Sequence, residues 1–78
     1  MKKKYVITSN GLPILFDEAL IHKYVSLNYS VASAGFFSTS IDLIENRINV
    51  KCWGESNSLH IRSKALTDEK IIEALFND

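Results

Sequence analysis

Phe37-Ser38-Thr39-Ser40-Ile41-Asp42-Leu43-Ile44-Glu45-Asn46-Arg47-Ile48-Asn49-Val50-Lys51-Cys52 carries the clearest structural pattern in the chain. Apolar residues recur at every second position through Phe37, Ile41 and Leu43, and again through Ile48, Val50 and Cys52, with polar residues between most of them. That period belongs to strands with one apolar face. A two-residue loop at Glu45 and Asn46 sets Leu43 opposite Ile48, Ile41 opposite Val50, Thr39 opposite Cys52 and Phe37 opposite Gly54. The other face then carries Asp42 with Asn49, Ser40 with Lys51, and Ser38 with Trp53. A slip of one residue would invert every side chain, so the agreement of two alternations supports the pairing. Glu-Asn is not the preferred Asn-Gly turn, and a longer loop with a bulge is the alternative.

Extending the stretch to residues 31–63 gives a three-stranded meander. A third strand from Leu59 to Ser63 puts Leu59 and Ile61 on the Cys52 side if the loop is Glu55-Ser56-Asn57-Ser58. Trp53 then lies opposite His60, with Phe36 one diagonal step away. Upstream, Ala32-Ser33-Ala34-Gly35 is small for a strand interior and leaves packing room for a helix.

Working outward, Asn10-Gly11 is a strong hairpin signal and joins strands within 5–16; a two-residue loop pairs Ile7 with Ile14, Tyr5 with Phe16 and Val6 with Leu15. Pro13 lacks an amide hydrogen and marks its strand as an edge or as paired on one side. Asp17 is placed to cap a helix over 17–28, whose apolar stripe is Leu20, Ile21, Tyr24, Val25 and Leu27, leaving His22 solvated. Thr67 is placed to cap a last helix over 68–77 with Ile71, Ile72, Leu75 and Phe76 on one face. The expected order is ββαβββα, an α+β domain of two layers with an antiparallel sheet.

The chain has 78 residues, enough for one domain that buries only about 60 to 65% of its unfolded surface. Nine basic and nine acidic residues cancel, so there is no general attraction to nucleic acid or anionic membrane. The single cysteine, Cys52, excludes an internal disulfide framework and a zinc ribbon. Its inward position reads as a buried thiol. The basic start Met1-Lys2-Lys3-Lys4 resembles the opening of a signal peptide. The apolar run after it breaks at Thr8-Ser9-Asn10-Gly11, short of the roughly 7 to 15 residues such a segment needs, and a cytoplasmic location is expected.

Two resemblances bear on function. From Asp17 onward, helix, three strands and helix is the order of a double-stranded RNA-binding domain. That family uses lysines at the start of its last helix to hold phosphates, and Thr67-Asp68-Glu69 here would repel them. The segments Asn10-Gly11-Leu12-Pro13-Ile14, Ser33-Ala34-Gly35-Phe36 and Gly54-Glu55-Ser56-Asn57-Ser58-Leu59 are similar to those of a group of short uncharacterised bacterial proteins. That resemblance implies a bacterial, stand-alone domain and carries no activity.

The polar loop Glu55-Ser56-Asn57-Ser58 beside His60 is where an acid, hydroxyls and an imidazole could converge. Nucleophilic catalysis also needs an oriented base and an oxyanion site, so an ordinary turn satisfying its own backbone is the simpler account and no catalytic residue is assigned. No His, Cys or carboxylate pair has metal-ligand spacing, and no glycine-rich phosphate loop exists, so neither metal nor cofactor is expected. Phe36, Trp53 and His60 form an aromatic corner on the otherwise polar face. Either the first helix covers it, or it is a contact patch for a second copy of the chain or another protein. The expected function is a non-enzymatic binding module, self-associating as a homodimer. The alternatives are a small enzyme or ligand-binding protein using residues 54–60, or single-stranded nucleic-acid binding through Lys51, Arg62 and Trp53.

Overall fold

The computed structural model describes residues 3–77. The chain runs β1 (Lys3–Thr8), β2 (Pro13–Asp17), α1 (His22–Val25), β3 (Val31–Asp42), β4 (Arg47–Trp53), β5 (Glu55–Ser56), β6 (Ile61–Arg62) and α2 (Ala65–Phe76). The first four strands form an antiparallel sheet in the order β2-β1-β3-β4, and β5 with β6 forms a separate two-stranded ladder. This is an α+β fold with an antiparallel sheet, the class that the alternation implies. Of the basic start, Met1 and Lys2 lie outside the described residues, and Lys3 and Lys4 open β1.

β1 lies between the two blocks of strands that local pattern could not join. It pairs Tyr5 with Gly35, Val6 with Ala34 and Ile7 with Ser33, and a bulge between Ile7 and Thr8 ends the match. Burial from Tyr5 to Thr8 on both faces follows from that central place. The small residues of β3 therefore sit against β1. Gly35 makes room for backbone, since a Cβ there would come within 2.5 Å of the Trp53 carbonyl oxygen and 3.1 Å of the Ser63 Cβ.

Three registers differ from the sequence expectation. In the first hairpin Tyr5 faces Leu15 and Val6 faces Ile14, one residue off. The Thr8 carbonyl accepts from Gly11 N–H (2.9 Å), the Thr8 N–H donates to the Leu12 carbonyl (2.9 Å), and Gly11 takes φ +83°. A three-residue loop closed by a left-handed glycine results, so only Gly11 needs positive φ. Phe16 thereby moves to the face opposite Tyr5. In the β3–β4 hairpin the slip is two residues, Phe37 facing Cys52 and Ile41 facing Ile48, which preserves every face assignment. The Asp42 carboxylate accepts the N–H groups of Ile44 and Glu45 (both 3.0 Å) and Asn46 adopts φ +52°, which fixes a four-residue loop at 43–46.

The third correction is larger. Gly54 at φ +82° kinks the chain out of β4, and the strand expected at 59–63 pairs with Glu55 and Ser56 instead of β4. The Ser63 N–H donates to the Gly54 carbonyl (2.9 Å) and closes this small ladder, whose loop is residues 57–60. Leu59 and Ile61 are therefore not an inward pair beside Cys52: both are half-buried, Leu59 in the loop and Ile61 opposite Ser56.

The helix expected over 17–28 is reduced to one turn, His22–Val25. β2 and β3 both run antiparallel to β1, so the thirteen residues between them must cross β1 and return the length of the strands. A 12-residue helix would advance about 18 Å and leave almost nothing for the two corners. Asp17 still caps, but in a turn: its Oδ1 accepts Ala19 N–H (3.3 Å) and its carbonyl accepts Leu20 N–H (3.1 Å). The last helix begins at Ala65, three residues before the expected start, because Asp68 rather than Thr67 serves its first turn by accepting the Lys64 N–H (2.9 Å).

The core lies between α2 and one sheet face: Tyr5, Ile7, Phe37, Val50, Cys52 and Ile72 pack together, with Leu15, Ala65 and Ile71 at their margin. Each large side chain so buried contributes about 1.5–3 kcal/mol. This side is the expected two-layer packing, and α1 adds a small cover on the reverse face.

α2 also serves the outer edge of β4. Glu69 accepts the Cys52 N–H (2.9 Å), Glu73 the Val50 N–H (2.9 Å) and Asn77 the Ile48 N–H (2.6 Å), while the Asn77 amide donates to the Ile48 carbonyl (2.7 Å). Four helical residues rise about 6.0 Å and two strand residues about 6.6 Å. Side chains every fourth residue thus keep step with alternate strand amides. Glu73 also pairs with Arg47 (3.0 Å).

Candidate ligand-binding cleft

On the α1 face four rings cross the molecule in sequence. Phe16 of β2 meets His22 of α1 edge-on at 5.3 Å, His22 meets Phe36 of β3 edge-on at 6.0 Å, and Phe36 stacks on Trp53 of β4 at 6.2 Å. The alternation correctly puts Phe36 and Trp53 opposite Cys52. They face each other directly, and Trp53 remains partly exposed.

His60 does not join them. It sits exposed in the β5–β6 loop at φ +57°, without a ring contact to Phe36 or Trp53, because that hairpin turns away from β4. The imidazole in the corner is His22, expected to be solvated and in fact only 4% exposed. Its Nε2–H donates to the Gly35 carbonyl (2.9 Å), which leaves Nδ1 as the unprotonated acceptor. Burial lowers its pKa from the ordinary 6.5, and nearby Lys4 adds to that against the opposing bond to Gly35. His22 is therefore neutral at pH 7. Among the described residues no bond engages Nδ1 and no fully buried side-chain nitrogen or oxygen lacks a partner, so Nδ1 is not wholly enclosed.

The polar loop closes over the same place. Ser56 is buried: its Oγ accepts the Leu59 N–H (3.1 Å) and pairs with Ser58 Oγ (3.2 Å), a turn satisfying itself. Ser58 Oγ also accepts the Lys23 N–H (3.2 Å) and ties the loop to α1. Between loop and helix lies a cleft of about 240 Å³ lined by Lys4, Ile21, His22, Phe36, Glu55, Asn57 and Ser58. The two groups of site residues that the sequence separates thus share one cleft through Phe36, Glu55, Asn57 and Ser58. Lys4 and His22 are additions. The cue for His22 was its place near the middle of a crossover that must pack on β1.

None of the described hydrogen bonds links Ser56 or Ser58 to a histidine, so no nucleophile and base are paired here. Among the described residues no group of three or more His, Cys, Asp or Glu is arranged to hold a metal ion. Cys52 lies on the other face, buried, its thiol pushed up to about 12 chiefly by burial. It is a core residue rather than a nucleophile.

The opposite face holds a second polar cluster. Asp68, 1% exposed, accepts from the Tyr5 hydroxyl (2.5 Å), the Ser33 hydroxyl (2.8 Å) and the Lys64 N–H. Tyr5 spends its one hydrogen on Asp68, so Ser63 Oγ donates to the phenol oxygen (2.5 Å). Burial first, and the bond to Asp68 second, raise the Tyr5 pKa well above the ordinary 10. The available cue was Asp68 itself, an acid on the helical stripe that continues into Ile72.

Among the described residues no helix is long and apolar enough to cross a membrane. Compared with known proteins, the chain matches no family model, no curated protein and no solved structure.

Proposed function

We propose that the protein is a non-enzymatic contact module that acts as a homodimer through the β3–β4 hairpin. One observation carries this: Ile41, Leu43 and Ile44 are 72, 86 and 96% exposed at the end of that hairpin. Among the described residues β1 accompanies β3 as far as Phe37, and beyond it Ser38–Asp42 and Arg47–Lys51 form a two-stranded arm in a molecule 39 Å long. An apolar tip on such an arm is a surface that association covers. Among the described residues no strand lies beside Ser38–Asp42 on the side away from β4, and two identical edges can pair about a two-fold axis. Zero formal charge places no net repulsion between copies.

The aromatic corner is the weaker contact surface, since His22 already covers one side of Phe36. A bacterial source and a cytoplasmic setting belong to the same proposal, the latter supported by an unpaired, buried Cys52. Light scattering across a dilution series is the test. The wild type should pass from dimer to monomer, and Leu43→Asp with Ile44→Asp should be monomeric throughout while keeping its fold. A wild type that is monomeric at every concentration defeats the proposal.

A further inference from the structure

We infer that the cleft between α1 and the β5–β6 loop is a binding site for a free α-amino acid with an apolar side chain. Lys4 and Glu55 line it together yet form no ion pair with each other, so neither charge is spent on the other. The Lys4 ammonium spends one hydrogen on the Leu20 carbonyl (2.7 Å) and keeps two for a carboxylate. Glu55 is an acceptor suited to an ammonium group, and His22, which also lines the cleft, keeps an unprotonated Nδ1. Phe36 and Ile21 supply the apolar wall. One cation, one anion, a neutral acceptor and an apolar surface match a zwitterion bearing a hydrocarbon side chain. The volume is below the roughly 300–1,000 Å³ of sites for drug-sized ligands, which suits a molecule this small.

The site is separate from the arm and does not depend on dimerisation. The full chain is titrated with L-leucine while backbone amide and His22 ring resonances are followed by NMR. N-acetyl-L-leucine, which lacks the ammonium, and 3-methylbutylamine, which lacks the carboxylate, are titrated in parallel. L-leucine should give saturable shifts at Lys4, His22 and Glu55 with a Kd on the order of 1 mM, and each truncated compound should bind at least about tenfold more weakly. Lys4→Gln and Glu55→Gln, with otherwise native spectra, should each weaken L-leucine by a similar factor. Shifts that stay linear to tens of millimolar would overturn the inference, as would N-acetyl-L-leucine binding as well as L-leucine, or full affinity in both variants. The monomeric arm variant should bind L-leucine unchanged, so failure of the dimer proposal and failure of this one are distinguishable.

Discussion

The two faces of the sheet treat their polar groups in opposite ways. Under α2, Asp68 receives three donors, the Tyr5 phenol is used on both sides, and the edge of β4 is matched amide by amide by Glu69, Glu73 and Asn77. Under α1, His22 keeps a free acceptor, and Lys4 and Glu55 share a cleft without meeting. A closed network fixes a structure and has nothing left to offer a ligand. An open one contributes less to the fold and keeps its valences for something else.

This contrast can be broken by substitution, and the largest effect should come from the closed side. Asp68→Ala removes the acceptor of two buried hydroxyls and of the part-buried Lys64 N–H at once and should cost about 3–5 kcal/mol, a large part of the stability of a chain this size, read from urea unfolding. A loss under 1 kcal/mol would mean that the network is not structural. Tyr5→Phe removes one donor and should cost about 1–3 kcal/mol at pH 7. It should also reshape the alkaline limb. The phenol holds its proton more tightly in the fold, so its contribution is complete below pH 10 and declines as pH rises toward the raised folded value. Unfolding free energies at pH 8 to 11 should fall less steeply in Tyr5→Phe. What slope remains comes from Cys52, raised from 9.0 to about 12.

On the open side the effects should be smaller. His22 has a lowered pKa, so its contribution is present above pH 6.5 and is lost as pH falls through the folded value. His22→Gln should cost about 1 kcal/mol at pH 7 and flatten the stability profile between pH 7 and 4, measured by urea unfolding. An unchanged acid limb would show that another group drives it. Glu55→Gln should change stability by no more than about 0.5 kcal/mol, because Glu55 is exposed. A larger loss would make it a structural residue and erase the distinction between the faces.

Much of the sheet was legible in the sequence, for a reason that also marks the limit. A two-residue period fixes faces, and so Phe37, Ile41, Val50 and Cys52 on one side against Phe36 and Trp53 on the other survive a two-residue register shift. Loop lengths lack such redundancy. They turn on single groups, the Asp42 carboxylate in one hairpin and Gly11 in the other. The third strand was lost at Gly54, whose positive φ redirects everything after it. The insertion of β1 beside β3 is non-local, and no local pattern reports it. The cleft inherits both failures. Its loop residues were visible as a polar run, whereas Lys4 arrives through the placement of β1 beside β3 and His22 through the crossover, and His60 leaves with the displaced hairpin.

The pairing of α2 with the rim of β4 has a consequence for assembly. Glu69, Glu73 and Asn77 stand where a fifth strand would add, so that rim is stoppered and the sheet cannot propagate there. Two arms that join through Ser38–Asp42 each consume that open stretch, and both outer rims of the joined arms carry a helix. In the proposed dimer, growth along the arm would therefore terminate at two copies instead of running on into a filament.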